Sequence, residues 1–501
     1  MRLKKAGFRI VSGAASAAVM AAMVLTACSG GNPPASSSSI SSSSKPASSI
    51  SQPTSSVSSS SKPVSSSISS SIRSSTSTTT MPEKSDGIKW TYRKTSDTTA
   101  TLTGYDKAGE KVPTGVVTLP SKVDGYTITA IGNDAFKGNM DITGVIFPDT
   151  VTSVGWRVFG GCKNLSQVQF SKNLTSIGSY VFTETALVEL IFPQDTVSVG
   201  FNAFENNKSL ERVEFKGKAT LGEALFNGCT GLKSVVFSDD ITEIPGGIFR
   251  DCVGLKSVRL PQKLKIIGNG AFMKCTSLTN MEIPESVNSI GQSAFYGCTS
   301  LNSITIPQNV KEIKESTFSD CSGLTTIKIK GNVTSIERNA FNNCKSLPEI
   351  VLPESVLKIE EYAFYGCTSL KSIKIPQKVS ILENNTFNGC SSLRSVEFNQ
   401  GLRTIGKNTF SGCISLHKVV LPDSLMTIED NAFRANRNLR CVYLSQSLKN
   451  IGSNVFDWCE KLTDVYYGGS EQSWQVVNGG KNLSGVNIHY NATPDVLNTV
   501  I

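Results

Sequence analysis

Thirteen cysteines and two histidines, His417 and His489, are the residues of this 501-residue chain whose spacing most readily specifies chemistry. Nine of the cysteines stand 23 residues apart: Cys229, Cys252, Cys275, Cys298, Cys321, Cys344, Cys367, Cys390 and Cys413. Thiols at regular intervals could form disulfides, bind zinc or act as nucleophiles, and each role demands its own geometry. If the interval is one structural unit, equivalent residues of stacked units sit about 4.8 Å apart with parallel Cβ vectors. A disulfide requires Cβ atoms about 3.5–4.5 Å apart. An unbroken run of nine also cannot pair completely. The same slot holds Asn139, Thr185, Asn207 and Asn436, which share with cysteine only the ability to hydrogen-bond backbone. The cysteine slot therefore reads as a small polar group at a buried turn. Zinc fits poorly, since no Cys-x-x-Cys pair exists. Cys413 and His417 are four apart, but His417 follows Leu416 at a variable position. No triad, metal set or phosphate loop is visible, so we expect no enzyme, no catalytic residue, no metal and no cofactor.

The elements that must carry these cysteines are marked by phenylalanine. Phe136, Phe159, Phe182, Phe204, Phe226, Phe249, Phe272, Phe295, Phe318, Phe341, Phe364, Phe387, Phe410, Phe433 and Phe456 recur every 22 or 23 residues and define fifteen units. One unit reads Ala363-Phe364-Tyr365-Gly366-Cys367-Thr368-Ser369-Leu370-Lys371-Ser372-Ile373-Lys374-Ile375-Pro376, then Val379 and Ile381. Leu370, Ile373 and Ile375 predict a short strand, ended by Pro376, which has no N–H for a neighbouring ladder. Val379 and Ile381 are expected to point inward, and every spine phenylalanine is expected to be fully buried. One unit cannot cover its own apolar face, but stacked units share a continuous core and a parallel sheet. Fifteen units at this strand spacing span roughly 70 Å. Polar residues alternating with apolar ones leave one sheet face wet.

Repeated Ala-Phe-x-x-Cys-x-x-Leu-x-x-Ile-x-Ile-Pro at this spacing resembles the BspA-like, Treponema pallidum-type leucine-rich repeat family of bacterial surface proteins. The resemblance implies a largely β, α/β-type repeat solenoid with a parallel sheet on one face. It also implies a surface role in adhesion or ligand binding, without catalytic residues. Residues 131–467 carry the repeats, and residues 81–130 and 468–501 read as end caps. Thr185 and Asn207 depart from the pattern, where the spacing drops to 22. Ile88, Trp90 and Tyr92, a turn at Thr95 to Thr98 and a return over Thr99 to Tyr105 predict an N-terminal β-hairpin cap. Ser470 is placed to N-cap a short helix holding Trp474 and Val477, and Val486 to Tyr490 reads as a closing strand.

Residues 1–27 have the form of an export signal: Arg2, Lys4, Lys5 and Arg9, then an uncharged apolar stretch. Leu25-Thr26-Ala27-Cys28 resembles a bacterial lipobox, which implies cleavage before Cys28 and a lipid on its sulfur. Several acyl chains hold a protein on a membrane where one would not. Residues 28–80, mostly serine with Lys-Pro and Gln-Pro, bury too little apolar surface to fold and read as a disordered tether. Seven of the 49 basic residues lie before residue 81, which leaves 42 basic against 40 acidic side chains in the remainder. That balance gives no support for a nucleic-acid partner.

Binding is therefore expected on the polar sheet face, at Lys328, Lys374, Glu397, Lys418, Val420, Tyr443 and Tyr466. The last three apolar residues gather at its C-terminal end. Cys441 falls outside the cysteine slot, two residues after Leu439, and is expected to present a solvent-exposed thiol between Lys418 and Asp464. The expected function is a lipid-anchored surface module binding an extracellular protein or glycan. A structural envelope protein without a ligand is the alternative.

Overall fold

A computed structural model describes residues 87–193, 197–480, 483 and 485–499. The signal, Cys28 and the whole tether lie outside the described residues.

The chain opens on the expected hairpin, Trp90–Lys94 antiparallel to Thr99–Tyr105. The Ser96 hydroxyl closes its turn by accepting from the Thr98 and Thr99 N–H groups. The second strand then pairs in parallel with Tyr126–Ile131. The Tyr105 ring stacks on Phe136 at 6.1 Å, and Trp90 meets the same ring edge-on at 6.2 Å. Tyr105 thus stands where a preceding unit would place its phenylalanine. Trp90 is a packing residue of the cap, which covers a core that a terminal unit would otherwise leave open.

Most units contribute to two sets of parallel strands. One runs through strands such as Ser303–Ile306, Thr326–Ile329, Ser372–Lys374, Ser395–Glu397 and Lys418–Val420. Equivalent residues pair directly, Ser372 with Ser395 and Lys418 with Cys441. Ile373 faces the core between exposed Ser372 and Lys374, the alternation of a strand with one solvated face. The second ladder consists mostly of two-residue strands such as Ser289–Ile290, Glu312–Ile313 and Ile381–Leu382. Here the expected inward pair is corrected. Val379 is buried, but Ile381 is 45% exposed and Leu382 is buried. Strand phase decides this: the residue before the inward one faces out, as Ser289 and Lys358 do in other units. Past this ladder the chains approach closely. A Cβ on Gly291 would lie 2.4 Å from the Asn269 nitrogen, so only glycine fits that backbone path.

Between the ladders lies the phenylalanine spine. Rings from Phe136 to Phe456 stack on their neighbours; Phe272 and Phe295 are 5.4 Å apart at an interplanar angle of 5°, and Phe295 and Phe318 are 5.5 Å apart at 4°. Offset stacking at this distance favours aromatic pairs beyond simple burial. Every spine ring is buried except Phe456, which is half-buried because no further phenylalanine follows it. The turn holding each ring has left-handed residues two before and two after it, for example Tyr362 at φ 58° and Gly366 at φ 67° around Phe364. Asparagine and glycine, which tolerate this region, therefore recur there.

The cysteine slot sits beside the spine. Each thiol donates to the phenylalanine carbonyl of the preceding unit: Cys298 Sγ to Phe272 O at 3.1 Å, Cys367 to Phe341 at 3.1 Å, Cys413 to Phe387 at 3.3 Å. That carbonyl also accepts its own unit's cysteine N–H, as from Cys275 to Phe272 at 3.1 Å. Where the thiol is missing, amides substitute. Asn436 Nδ2 donates to Phe410 and Phe433, and Asn207 Nδ2 to Phe182 and Phe204. All twelve described cysteines are free and buried. At the far end, Ser470 caps the helix Glu471–Trp474, which places Trp474 in the core against Tyr467. Asn487–His489 closes the first ladder in parallel with Asp464–Tyr467.

Two predictions test this packing. Phe295→Ala removes a ring stacked on both sides and should cost about 3–5 kcal/mol, whereas Phe456→Ala, half-buried, should cost less; equal, negligible losses in urea unfolding would contradict the spine. Burial also pushes the Cys162 thiol up to about 11 and those of Cys298 and Cys367 to about 12, against about 8.5 for an unfolded thiol. Their stabilisation is complete below the unfolded value and is lost as pH rises toward the folded values. The unfolding free energy should fall from about pH 8.5 upward, by about 1.4 kcal/mol per pH unit for each such thiol, and the urea midpoint should fall with it. A midpoint constant to pH 10.5 would show the slot to be wet.

Candidate functional site

The strand alternation that buries Ile373 and Val419 turns their neighbours to solvent in the middle of the first ladder. Lys328, Lys374, Glu397 and Val420 are exposed there, as expected. Charges on this face pair with one another. Lys374 Nζ lies 3.0 Å from Glu354 and 3.9 Å from Glu397, and Arg212 bridges Glu189 and Glu214. The Glu354 hydrogen bond raises the Lys374 pKa, with Coulombic support from Glu354 and then Glu397. Pairs this exposed add little stability, but they break any uniform field along the face.

Between the ion pairs the face is apolar in places. Val351 is 83% exposed and Val116 59%, with Ile191 and Val236 also open to solvent. Near the N-terminal end, Gly144 lets Val116 close in, since a Cβ there would lie only 3.2 Å from the valine side chain. Beside it a hollow of about 500 Å³ is lined by Val116, Ile146, Gln167, Gln169, Ile191 and Lys216. It combines aliphatic walls with two exposed amides, each able to donate and accept. Periodicity alone gave no signal for this hollow; the signal available was glycine at a position that carries a side chain in the other units.

A second hollow, of about 460 Å³, lies beside the two-residue strands and is lined by Arg338, Leu357, Glu360, Glu361, Ile381 and Glu383. Desolvation, then Coulombic repulsion from Glu361, Glu360 and Glu429, raises the Glu383 carboxyl above its ordinary value. Among the described residues no group of three or more His, Cys, Asp or Glu is arranged to hold a metal ion.

The C-terminal end of the sheet face departs from expectation. Cys441 is 1% exposed, Tyr443 3% and Tyr466 9%. None of the three presents a free surface, and the Cys441 thiol does not point to solvent. Leu497, with Ala492 and Val496, packs over them. Lys418 remains exposed along its stem, but its Nζ donates to the Leu497 carbonyl at 3.1 Å. Desolvation raises the Cys441 thiol above its ordinary value, partly offset by Lys418. Desolvation, then Asp423, pushes the Tyr443 hydroxyl up to about 12. The covering segment has no repeat signature, so the unit pattern could not anticipate it. His489, stacked on Tyr466 at 4.6 Å and bonded to Asp464 at 2.8 Å, belongs to the same corner.

With two parallel ladders, a stacked phenylalanine spine and a solvated sheet face described, the comparisons with known proteins fall into place. The family model described as BspA type leucine rich repeat region, in six copies, matches residues 129–256, 242–371 and 357–475. A leucine-rich repeat protein from Bacteroides ovatus is 25% identical with a TM-score of 0.60, covering 80% of this chain and 98% of its own. A leucine rich cell surface protein from Faecalibacterium prausnitzii is 25% identical, covers 79% and 97%, and has a TM-score of 0.42. The leucine-rich repeat protein of T. pallidum is 22% identical, covers 52% and 88%, and has a TM-score of 0.21. No curated protein matches the chain. The chain therefore belongs to the BspA-type leucine-rich repeat family.

Proposed function

We propose that this protein is a lipid-anchored, surface-displayed binding module whose sheet face takes an extracellular protein or glycan. The observation that carries this reading is the contrast within each unit. Phenylalanine, cysteine and the inward aliphatics are used up in packing, while the sheet-face positions are outward and vary from unit to unit. Along that face, exposed apolar residues such as Val116 and Val351 alternate with ion pairs and amides. A mixed surface of this kind suits contact with a folded protein or a glycan better than a polyanion. Fold alone does not specify function, so the weight rests on this face. Export and anchoring rest on the motif ending at Cys28, and the serine-rich tether would hold the repeats clear of the membrane.

Two experiments test the reading. Cys28→Ser should abolish metabolic palmitate labelling and release the protein from the detergent phase; label retained in the variant would sink the lipobox assignment. Soluble residues 81–501 should show a saturable partner in a screen of matrix proteins, mucins and glycans. Val116→Asp combined with Val351→Asp should weaken that binding at least tenfold, while Lys263→Ala, away from the sheet face, should leave it unchanged. Absence of any saturable partner would favour a structural envelope role.

A further inference from the structure

After Asn487–His489 the chain reverses rather than leaving the solenoid. Asn491 takes a left-handed conformation at φ 54°. The Asn491 N–H donates to Gly469 O at 2.9 Å and the Ala492 N–H to Tyr467 O at 3.0 Å. The segment then crosses the sheet face and ends in a single helical turn, Val496–Thr499. Leu497 is fully buried against Cys441, Tyr443 and Tyr466, flanked by Ala492 and Val496. Equivalent positions two and three units before Tyr443, Glu397 and Lys374, are exposed. The cover is therefore a local strap over the last strands and not a property of the whole face.

The walls beneath the strap are held by contacts that do not involve it. Tyr443 donates its hydroxyl to Asp423 at 3.1 Å. Tyr466 stacks on His489, whose ring is bonded to Asp464. The Cys441 backbone lies between two paired strands. The strap itself is tied by two backbone bonds at its base and the Lys418 ammonium at its tip. A site built this way keeps its shape when its occupant leaves, which lowers the cost of binding another.

We propose that Lys418, Cys441, Tyr443 and Tyr466 form a socket for a short aliphatic peptide segment, filled at rest by the chain's own strap, Ala492 to Leu497. A partner enters by replacing the strap with an aliphatic side chain in the place of Leu497 and a backbone carbonyl on Lys418 Nζ. The socket is thus a masked part of the binding face. Only the identity of the displacing partner rests on the surface-binding reading; exchange of the strap is a property of this chain alone.

The test uses the intact soluble chain and a fluorescent synthetic peptide with the sequence of residues 491–501. In the native protein Cys441 should resist maleimide and the peptide should not bind. Leu497→Asp should speed labelling of Cys441 at least tenfold while Cys298, deep in the spine, stays protected. The peptide should then bind saturably and protect Cys441 again, and a peptide carrying the same Leu-to-Asp change should not. Cys441 labelling at equal rates in both proteins, or no peptide binding to a variant whose Cys441 has opened, would overturn the socket. If Cys298 also becomes reactive, so that Leu497→Asp has unfolded the array, Lys418→Met provides the test. It should accelerate native Cys441 labelling severalfold, and an unchanged rate would overturn the proposal. A strap-exchanged dimer in sedimentation would assign the socket to a second copy and overturn the partner reading. These outcomes leave the screen for extracellular partners independent, so the two can fail separately.

Discussion

The phenylalanine carbonyl is the acceptor on which the repeat depends. It lies at a buried turn, where an unpaired polar group would be costly. One lone pair takes the N–H of its own unit's cysteine; the other takes the thiol of the next unit. Above it the ring needs a ring on each side, and it finds them at 5.1 to 5.9 Å along the spine. Both requirements are met only by a neighbour in strict register, so a unit is complete only in company. This is the molecular form of the nearest-neighbour stability expected of solenoids.

The same dependence explains why so many thiols stay free. Cysteine is small enough for the turn and donates weakly but adequately to a carbonyl. Its burial raises its pKa and removes the thiolate that oxidation requires. Asparagine in the slot reaches two carbonyls at once but leaves the Oδ1 of Asn436 buried without a partner. Thr185 instead bonds its own unit's Phe182 carbonyl and the Asn207 side chain. Asparagine adds its own unit's carbonyl to the preceding one, threonine turns to its own alone, and cysteine serves the preceding carbonyl with the fewest atoms.

Much of this was legible in the sequence because it is periodic. The phenylalanine spine, the polar reading of the cysteine slot, the hairpin at Trp90 to Tyr105 and the Ser470 cap all follow from patterns confined to a unit or a turn. What escaped was of two kinds. The phase of a two-residue strand cannot be read when both of its residues are apolar, which is why Ile381 and Leu382 exchanged faces. Contacts without a period leave no trace in a unit alignment. Leu497 meets Lys418 across 79 residues, and the tyrosines it covers look, unit by unit, like exposed sheet residues.

The register has a consequence beyond one molecule. Most interior junctions make the same bonds, with the Phe N–H passing to the residue before the next unit's phenylalanine and the cysteine thiol to the preceding unit's phenylalanine carbonyl. Removing or duplicating a whole 23-residue segment in the interior therefore recreates a junction already present elsewhere, and both caps keep their partners. In genetic terms, recombination that keeps the 23-residue frame changes the length of the array without opening its core. Array length is then a trait that selection can tune separately from stability, and with it the area of the solvated sheet face.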